Sequence, residues 1–300
     1  TSKLVDVVLH EKLNILHVHY AIPHASAAVN AKHILATHGI NIPIITTLHG
    51  TDITLLGKDK SFKPVIEYAI NMSDSVTVVS EDLKRETLDS FNITNYIDTI
   101  PNFIDIDLYQ QDLDVDLRSK IAKNDQFILT HISNFREVKR VEDVIKIFAK
   151  VNKEIKCRLL MIGDGPDRLK AEELSRNLGV SKDVEFLGKL KVIEKMLSIS
   201  DIFILPSSTE SFGLVALEAM ASKTAVISTN SGGLSEVNIE GLTGFLSDVG
   251  DVEKMARDTL RLLRDKNLLD TFKTNALAHA KKFDITDILP KYKSIYHKLC

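Results

Sequence analysis

The sequence predicts an α/β protein made of two doubly wound units with parallel sheets. Three observations carry this. Short apolar runs alternate with helical patterns almost from end to end. The runs are close to continuously apolar, as strands covered on both faces are. The alternation comes in two series, separated by an acidic stretch with no strand pattern, and two such series argue two domains.

In the first series the strands are Ile15–Val18, Ile42–Leu48, Ser75–Val79 and Tyr96–Ile100, with helical patterns over 23–38, 61–72 and 81–91. In the second they are Phe127–Ile132, Arg158–Ile162, Val184–Leu187, Ile202–Leu205 and Ala225–Ser228, with helices near 140–151, 166–178, 190–199, 213–222 and 251–282. Asp107 to Asp125 reads as linker and lead-in. The domains are expected at 1–108 and 109–283, and 284–300 forms a last helix that either ends the second domain or crosses back to the first. The length of 300 residues suits two domains of about 100–200 residues each.

Composition narrows the function class. Apolar content of 44% and charged content of 26% are globular values. A formal net charge of −3 gives no overall attraction to nucleic acid or membrane, so neither is an expected partner. Two cysteines, Cys157 and Cys300, far apart in the sequence, give no disulfide framework, which fits an expectation of a cytoplasmic protein. No apolar run is long enough for a membrane span, and the start is not signal-like.

Ligands of open α/β sheets bind at the carboxyl ends of strands, and the chemically interesting residues collect there. After Leu205 comes Pro206-Ser-Ser-Thr-Glu210-Ser-Phe-Gly213-Leu-Val-Ala-Leu-Glu218, which places Glu210 in a loop and Glu218 on the helix it feeds. The turn Ser211-Phe212-Gly213-Leu214 opens that helix, where free N–H groups and the helix dipole favour an anion and Gly213 permits close approach of a phosphate. Ser231-Gly-Gly-Leu-Ser-Glu236 repeats the arrangement after the next strand. Arg136 and Lys139, with Arg140 less firmly, form a basic cluster after Ile132, suited to a diphosphate leaving group without a metal. His49, in His49-Gly-Thr-Asp52, reads as a site residue. Gly163-Asp-Gly-Pro166 reads as a turn with Pro at the first helical position. His17, His19 and His24 have metal-like spacing, but a strand followed by Pro scatters them, and no metal site is expected.

These residues resemble the retaining family 4 glycosyltransferases. The resemblance rests on Glu210-x7-Glu218 with its surrounding Ser211–Met220 segment, on Gly232-Gly-Leu-Ser-Glu236 and on Gly241-Leu-Thr-Gly-Phe-Leu246, and it covers essentially the whole chain. It implies the GT-B fold of two facing Rossmann-like domains. It also implies that the family's first strand and glycine-rich loop are missing, leaving the first domain incomplete. Where the family has an Arg five residues before the site Lys, this chain has Asn134, with Arg136 nearby.

A narrower resemblance lies in His17-Val-His-Tyr-Ala-Ile-Pro-His24, Thr46–Thr54, Pro101-Asn-Phe-Ile-Asp105 and His131–Arg140. These look like the branch of the family that opens bacillithiol biosynthesis. That branch implies transfer of GlcNAc from UDP-GlcNAc, the donor substrate, to the hydroxyl of L-malate, with no cofactor required. The resemblance places Glu218 on the ribose, Glu210 on the transferred sugar, and Ser211–Leu214 with Arg136 and Lys139 on the diphosphate. Lys189 and Leu190 hold the uracil; Tyr20, Thr47 and Thr51 are on the acceptor side, with His49 near the sugar. Another acceptor, epimerisation of UDP-GlcNAc, and UDP-sugar binding without turnover stay open, as does a homodimer.

Overall fold

The computed structural model describes residues 1–110, 113–123 and 126–300, with the backbone alone for Leu55 and Lys58. It divides into two compact units, residues 1–102 with 286–300 and residues 103–285. The expected boundary at 108/109 compares with these divisions at 102/103 and 285/286.

The first unit runs α1 (Ser2–Glu11), β1 (Leu16–His19), α2 (Ser26–Thr37), β2 (Ile44–Leu48), α3 (Lys63–Asn71), β3 (Ser75–Val78), α4 (Glu81–Ser90) and β4 (Ile97–Thr99). Its sheet has the order β1-β2-β3-β4, all parallel. β2 is buried along its whole length, which is why it lacks an alternating polar pattern. α4 begins where Ser80 accepts a hydrogen bond from the Leu83 N–H, an ordinary N-cap.

The second unit continues with α5 (Ile106–Tyr109), α6 (Val115–Ile121), β5 (Phe127–Ser133), α7 (Val141–Glu154), β6 (Cys157–Gly163), α8 (Arg168–Asn177), β7 (Val184–Gly188), α9 (Glu194–Ser198) and β8 (Ile202–Leu205). Then come α10 (Leu214–Ala221), β9 (Ala225–Thr229), α11 (Leu234–Val237), β10 (Gly244–Ser247), α12 (Val252–Arg264) and α13 (Lys266–Ala280). α14 (Ile285–Leu299) returns the chain to the first unit. The sheet order is β10-β9-β8-β5-β6-β7, all parallel. This is a doubly wound order, and the direction of winding reverses between β5 and β8.

Side chains alternate across this sheet. Leu129, Leu159 and Met161 pack with α7, α12 and α13 on one face. Ile128, Leu160 and Ile162 pack on the other with Ile199 and Ala122. The stretch read as linker therefore contributes structure: α6 is anchored by Arg118, which donates to the Asp201 carboxylate at 2.8 Å and to the Ile199 carbonyl. Gln111, Asp112, Asn124 and Asp125 of that stretch lie outside the described residues.

Other expectations need correction. The helix expected over 251–282 is two helices, because Asp265 leaves helical geometry (φ −119°, ψ 94°) and caps α13 through the Leu268 N–H. Pro166 is not at a first helical position; α8 starts at Arg168, after Asp167. Gly163 and Gly165 are there for packing, since a Cβ on them would meet the Ser133 and Asn134 carbonyl oxygens at 1.8 and 2.0 Å.

Candidate active site

The second unit gathers its candidate residues at the carboxyl ends of β5 and β8, the strands flanking the reversal. The loop after β5 makes a tight 3-10 turn over Glu137–Lys139. The loop after β8 is tied to it, with the Ser208 N–H donating to the Val138 carbonyl at 2.8 Å. Lys139 Nζ then meets Glu210 Oε1 at 2.6 Å, and the Ser207 hydroxyl donates to the same oxygen at 2.8 Å. Side-chain exposures of 20% and 11% keep this pair partly shielded from solvent screening. The Glu210 carbonyl accepts from the Gly233 N–H at 2.9 Å, so the second glycine turn buttresses the loop.

Gly213 (φ 92°) precedes α10, and a Cβ there would lie 2.4 Å from Leu234 Cδ1. The positive φ favours glycine there, and a larger residue would also have to displace the Leu234 side chain. The Ala216 and Leu217 N–H groups donate to the Gly213 carbonyl at 2.9 and 3.2 Å, so the N–H groups of Leu214, which is exposed, and Val215 precede the first bonds of α10. Ser211 is half-buried, and Phe212 is buried with its ring edge-on to Phe283. About one turn into α10, Glu218 accepts a hydrogen bond from the Tyr109 hydroxyl at 3.0 Å. Burial pushes Glu218 up to about 7, with the Glu194 charge adding and the Tyr109 hydrogen bond opposing. Arg136 is exposed at the start of the 3-10 turn, whereas Arg140 is paired with Asp143 at 2.6 Å. Lys189 is exposed after β7, and Leu190 packs its side chain into the core on that face.

The first unit brings Tyr20, His49 and Thr51 to the ends of β1 and β2. His19 Nδ1 and His49 Nε2 are 2.8 Å apart, and the Tyr20 ring centre is 5.2 Å from that of His49. Burial, then the neighbouring His19 and His17, lowers His49 to about 4, so the pair is neutral at pH 7 and shares one N–H. Thr51 is exposed. Thr47 is different: it is fully buried, and its hydroxyl is shared between His17 (2.8 Å) and Thr77 (2.7 Å). It can hold His17 in place but does not face a ligand. Asp52 is a clasp, its buried carboxylate accepting from the Ala21 N–H at 2.6 Å and joining the loops after β1 and β2. Among the described residues no group of three or more His, Cys, Asp or Glu could hold a metal ion.

A model of the glycosyl transferases group 1 matches residues 114–279, and one of glycosyltransferase family 4 matches residues 1–108. The N-acetyl-α-D-glucosaminyl L-malate synthase of Bacillus anthracis is 42% identical over 99% of this chain and 77% of its own length. The chain belongs to the family 4 glycosyltransferases. It is an enzyme of that class with the GT-B fold. An uncharacterised glycosyltransferase of Methanocaldococcus jannaschii is 27% identical over 98% of this chain and 78% of its own. Among solved structures, Anabaena HepE in complex with UDP and glucose superposes with a TM-score of 0.89 at 21% identity, covering 99% of this chain and 81% of that one. Sucrose-phosphate synthase from Thermosynechococcus elongatus gives 0.84 at 21%, covering 99% and 77%. No helix among the described residues is long and apolar enough to cross a membrane.

Sequence reasoning missed three residues of this glycosyltransferase site. Tyr109 lies in the stretch read as linker. Ser207 sits beside the carboxylate it serves but looks like loop filler. His131 is wholly buried: its Nδ1–H donates to the Ile204 carbonyl at 2.9 Å, so its neutral Nε2 accepts from Ser133 at 2.8 Å. That bond shapes the loop carrying Arg136 and Lys139, and its only sequence signal is a His inside an apolar strand.

Proposed function

We propose that this glycosyltransferase moves GlcNAc from UDP-GlcNAc to the hydroxyl of L-malate with retention, the opening step of bacillithiol biosynthesis. The observation that carries the reading is the 42% identity, over 99% of the chain, to an enzyme named for that product. The geometry is compatible with it. Glu218 accepts from the ribose hydroxyls, and Glu210 from hydroxyls of the sugar. The start of α10, with Lys139 and Arg136, receives the diphosphate, while Lys189 and Leu190 border the uracil. Tyr20 and Thr51 supply hydrogen bonds on the acceptor side, and the neutral His49 lies near the transferred sugar; Thr47 acts behind them through His17.

The bond from the anomeric carbon to the phosphate oxygen breaks. A bond to the malate hydroxyl oxygen forms on the same face, and the hydroxyl proton passes to the departing phosphate. The protein contributes position and a preorganised field. Lys139 fills the charge-stabilising role, so no cofactor is required. Cys157 and Cys300 are both free thiols, which suits a cytoplasmic setting.

The test is UDP release from UDP-GlcNAc with and without L-malate, and again in EDTA, with the anomeric configuration of the product read by NMR. Release that depends on malate, survives EDTA and gives the α-anomer is expected. Release indifferent to malate overturns the acceptor, and loss in EDTA overturns the metal-free reading.

A further inference from the structure

Glu218 has an environment that a ribose-binding carboxylate does not need for its own sake. It is mostly buried on α10, and its carboxylate accepts a hydrogen bond from the Tyr109 hydroxyl at 3.0 Å. Tyr109 is itself 9% exposed and is delivered by a four-residue helix. That helix is held firmly: Asp105 caps it through the Asp107 N–H, and Asp284 accepts from the Ile106 N–H, both at 3.2 Å. A parallel bridge between Ile104 and Asp284 fixes the chain just before it. The third group acting on the carboxylate is Glu194, at the first turn of α9, whose Oε2 is buried without a hydrogen-bond partner. A phenylalanine would fill the same apolar space as Tyr109. The hydroxyl has a polar purpose, since a buried O–H is costly unless it is bonded.

We infer that Tyr109 is a positioning residue of the donor site: its hydroxyl donates to Glu218 Oε1, fixes the rotamer of the carboxylate and favours its ionised form, so that the remaining acceptor positions face the ribose hydroxyls. A carboxylate has about four lone-pair sites, so one donor from behind leaves enough for a 2′,3′-diol. The bond also counters the repulsion from Glu194. Ionisation matters because a carboxylate accepts from both hydroxyls at once, with charge-assisted bonds stronger than neutral ones. The inference rests on the assignment of Glu218 to the ribose.

The experiment measures binding of UDP and of 2′,3′-dideoxyuridine 5′-diphosphate by calorimetry from pH 6 to pH 9, for the full chain, Tyr109→Phe and Glu218→Gln. For Tyr109→Phe, UDP affinity should fall about tenfold at pH 6.5, the loss expected for one hydrogen bond to a charged group. The loss should shrink to about two- or threefold at pH 9, with the midpoint of the pH profile moved up by about one unit. The dideoxy analogue should bind both proteins alike. Equal weakening of the two ligands, or an unmoved midpoint, overturns the positioning role. If Glu218→Gln weakens UDP but not the analogue while Tyr109→Phe changes neither, the positioning role alone fails. If Glu218→Gln leaves UDP binding unchanged, the ribose assignment fails and the inference with it. Thermal melting confirms that Tyr109→Phe is folded before either reading.

Discussion

On the proposed reading Glu218 meets ribose hydroxyls and works ionised, yet burial holds its proton until about pH 7. The folded chain therefore binds this proton more tightly than the unfolded chain does. Stability is lost as pH rises from the unfolded value near 4.5 through 7, and the full cost applies above 7. Glu218→Gln cannot ionise, so at pH 8 it should be more stable than the parent by up to about 3 kcal/mol. At pH 4 the two should be equal. Urea midpoints at the two pH values check this, and a variant destabilised equally at both would refute it. At this scale the sequence pointed to Glu210 and Glu218 because they flank a strand-to-helix turn of the kind that suits phosphate. It did not show what surrounds them. Thr47 looked like a ligand residue because its position at a strand end was legible, whereas its commitment to His17 and Thr77 depends on side chains far away in sequence.

At the scale of elements, the strands were legible because a parallel strand covered on both faces is buried throughout and mostly apolar: β8 is Ile-Phe-Ile-Leu, and β2 and β9 add to their aliphatic residues only Thr and Ser. The helix α6 was not, since none of its residues is fully buried: only Leu117 and Ile121 pack partly against the core, and a polar contact helps to dock it. That contact centres on Asp201, 8% exposed, whose carboxylate receives Arg118 and Lys273 at 2.8 Å each and the Ile128 N–H at 2.9 Å. Burial raises Asp201, but the two cations and the hydrogen bonds outweigh it and hold it below the usual carboxylate range. One acid thus joins α6, β5 and α13 to the start of β8. Asp201→Ala leaves two partly buried cations facing each other and should destabilise the second unit by about 3–5 kcal/mol. Chemical denaturation followed by a probe in that unit measures it. A loss below about 1 kcal/mol would mean that this is an ordinary surface pair.

Across the whole molecule, the groups that respond to mild acid are unevenly distributed. The first unit has His17 and His49, both lowered to about 4 chiefly by burial, and His19, lowered for the same reason. Among the described residues there, Asp52, raised by burial, opposes them. The second unit has His131, lowered to about 4, and His279, also lowered, set against Glu218, which is raised. A histidine lowered by folding binds its proton better when unfolded. Its stabilising contribution is complete above pH 6.5 and is lost as pH falls towards 4. Glu218 works in the opposite sense over 4.5–7, so it offsets His131 within the same unit. Since domains with separate cores open in separate steps, the first unit should lose protection first. Amide exchange corrected for intrinsic rates, compared between pH 7.5 and pH 5, should show a larger fall in opening free energy for β1 and β2 than for β5 and β6. His49→Gln should reduce the difference, because it removes the imidazole that His19 and His17 crowd most closely. An equal fall in both sheets, or a larger one in β5 and β6, would place the acid sensitivity outside the histidine cluster.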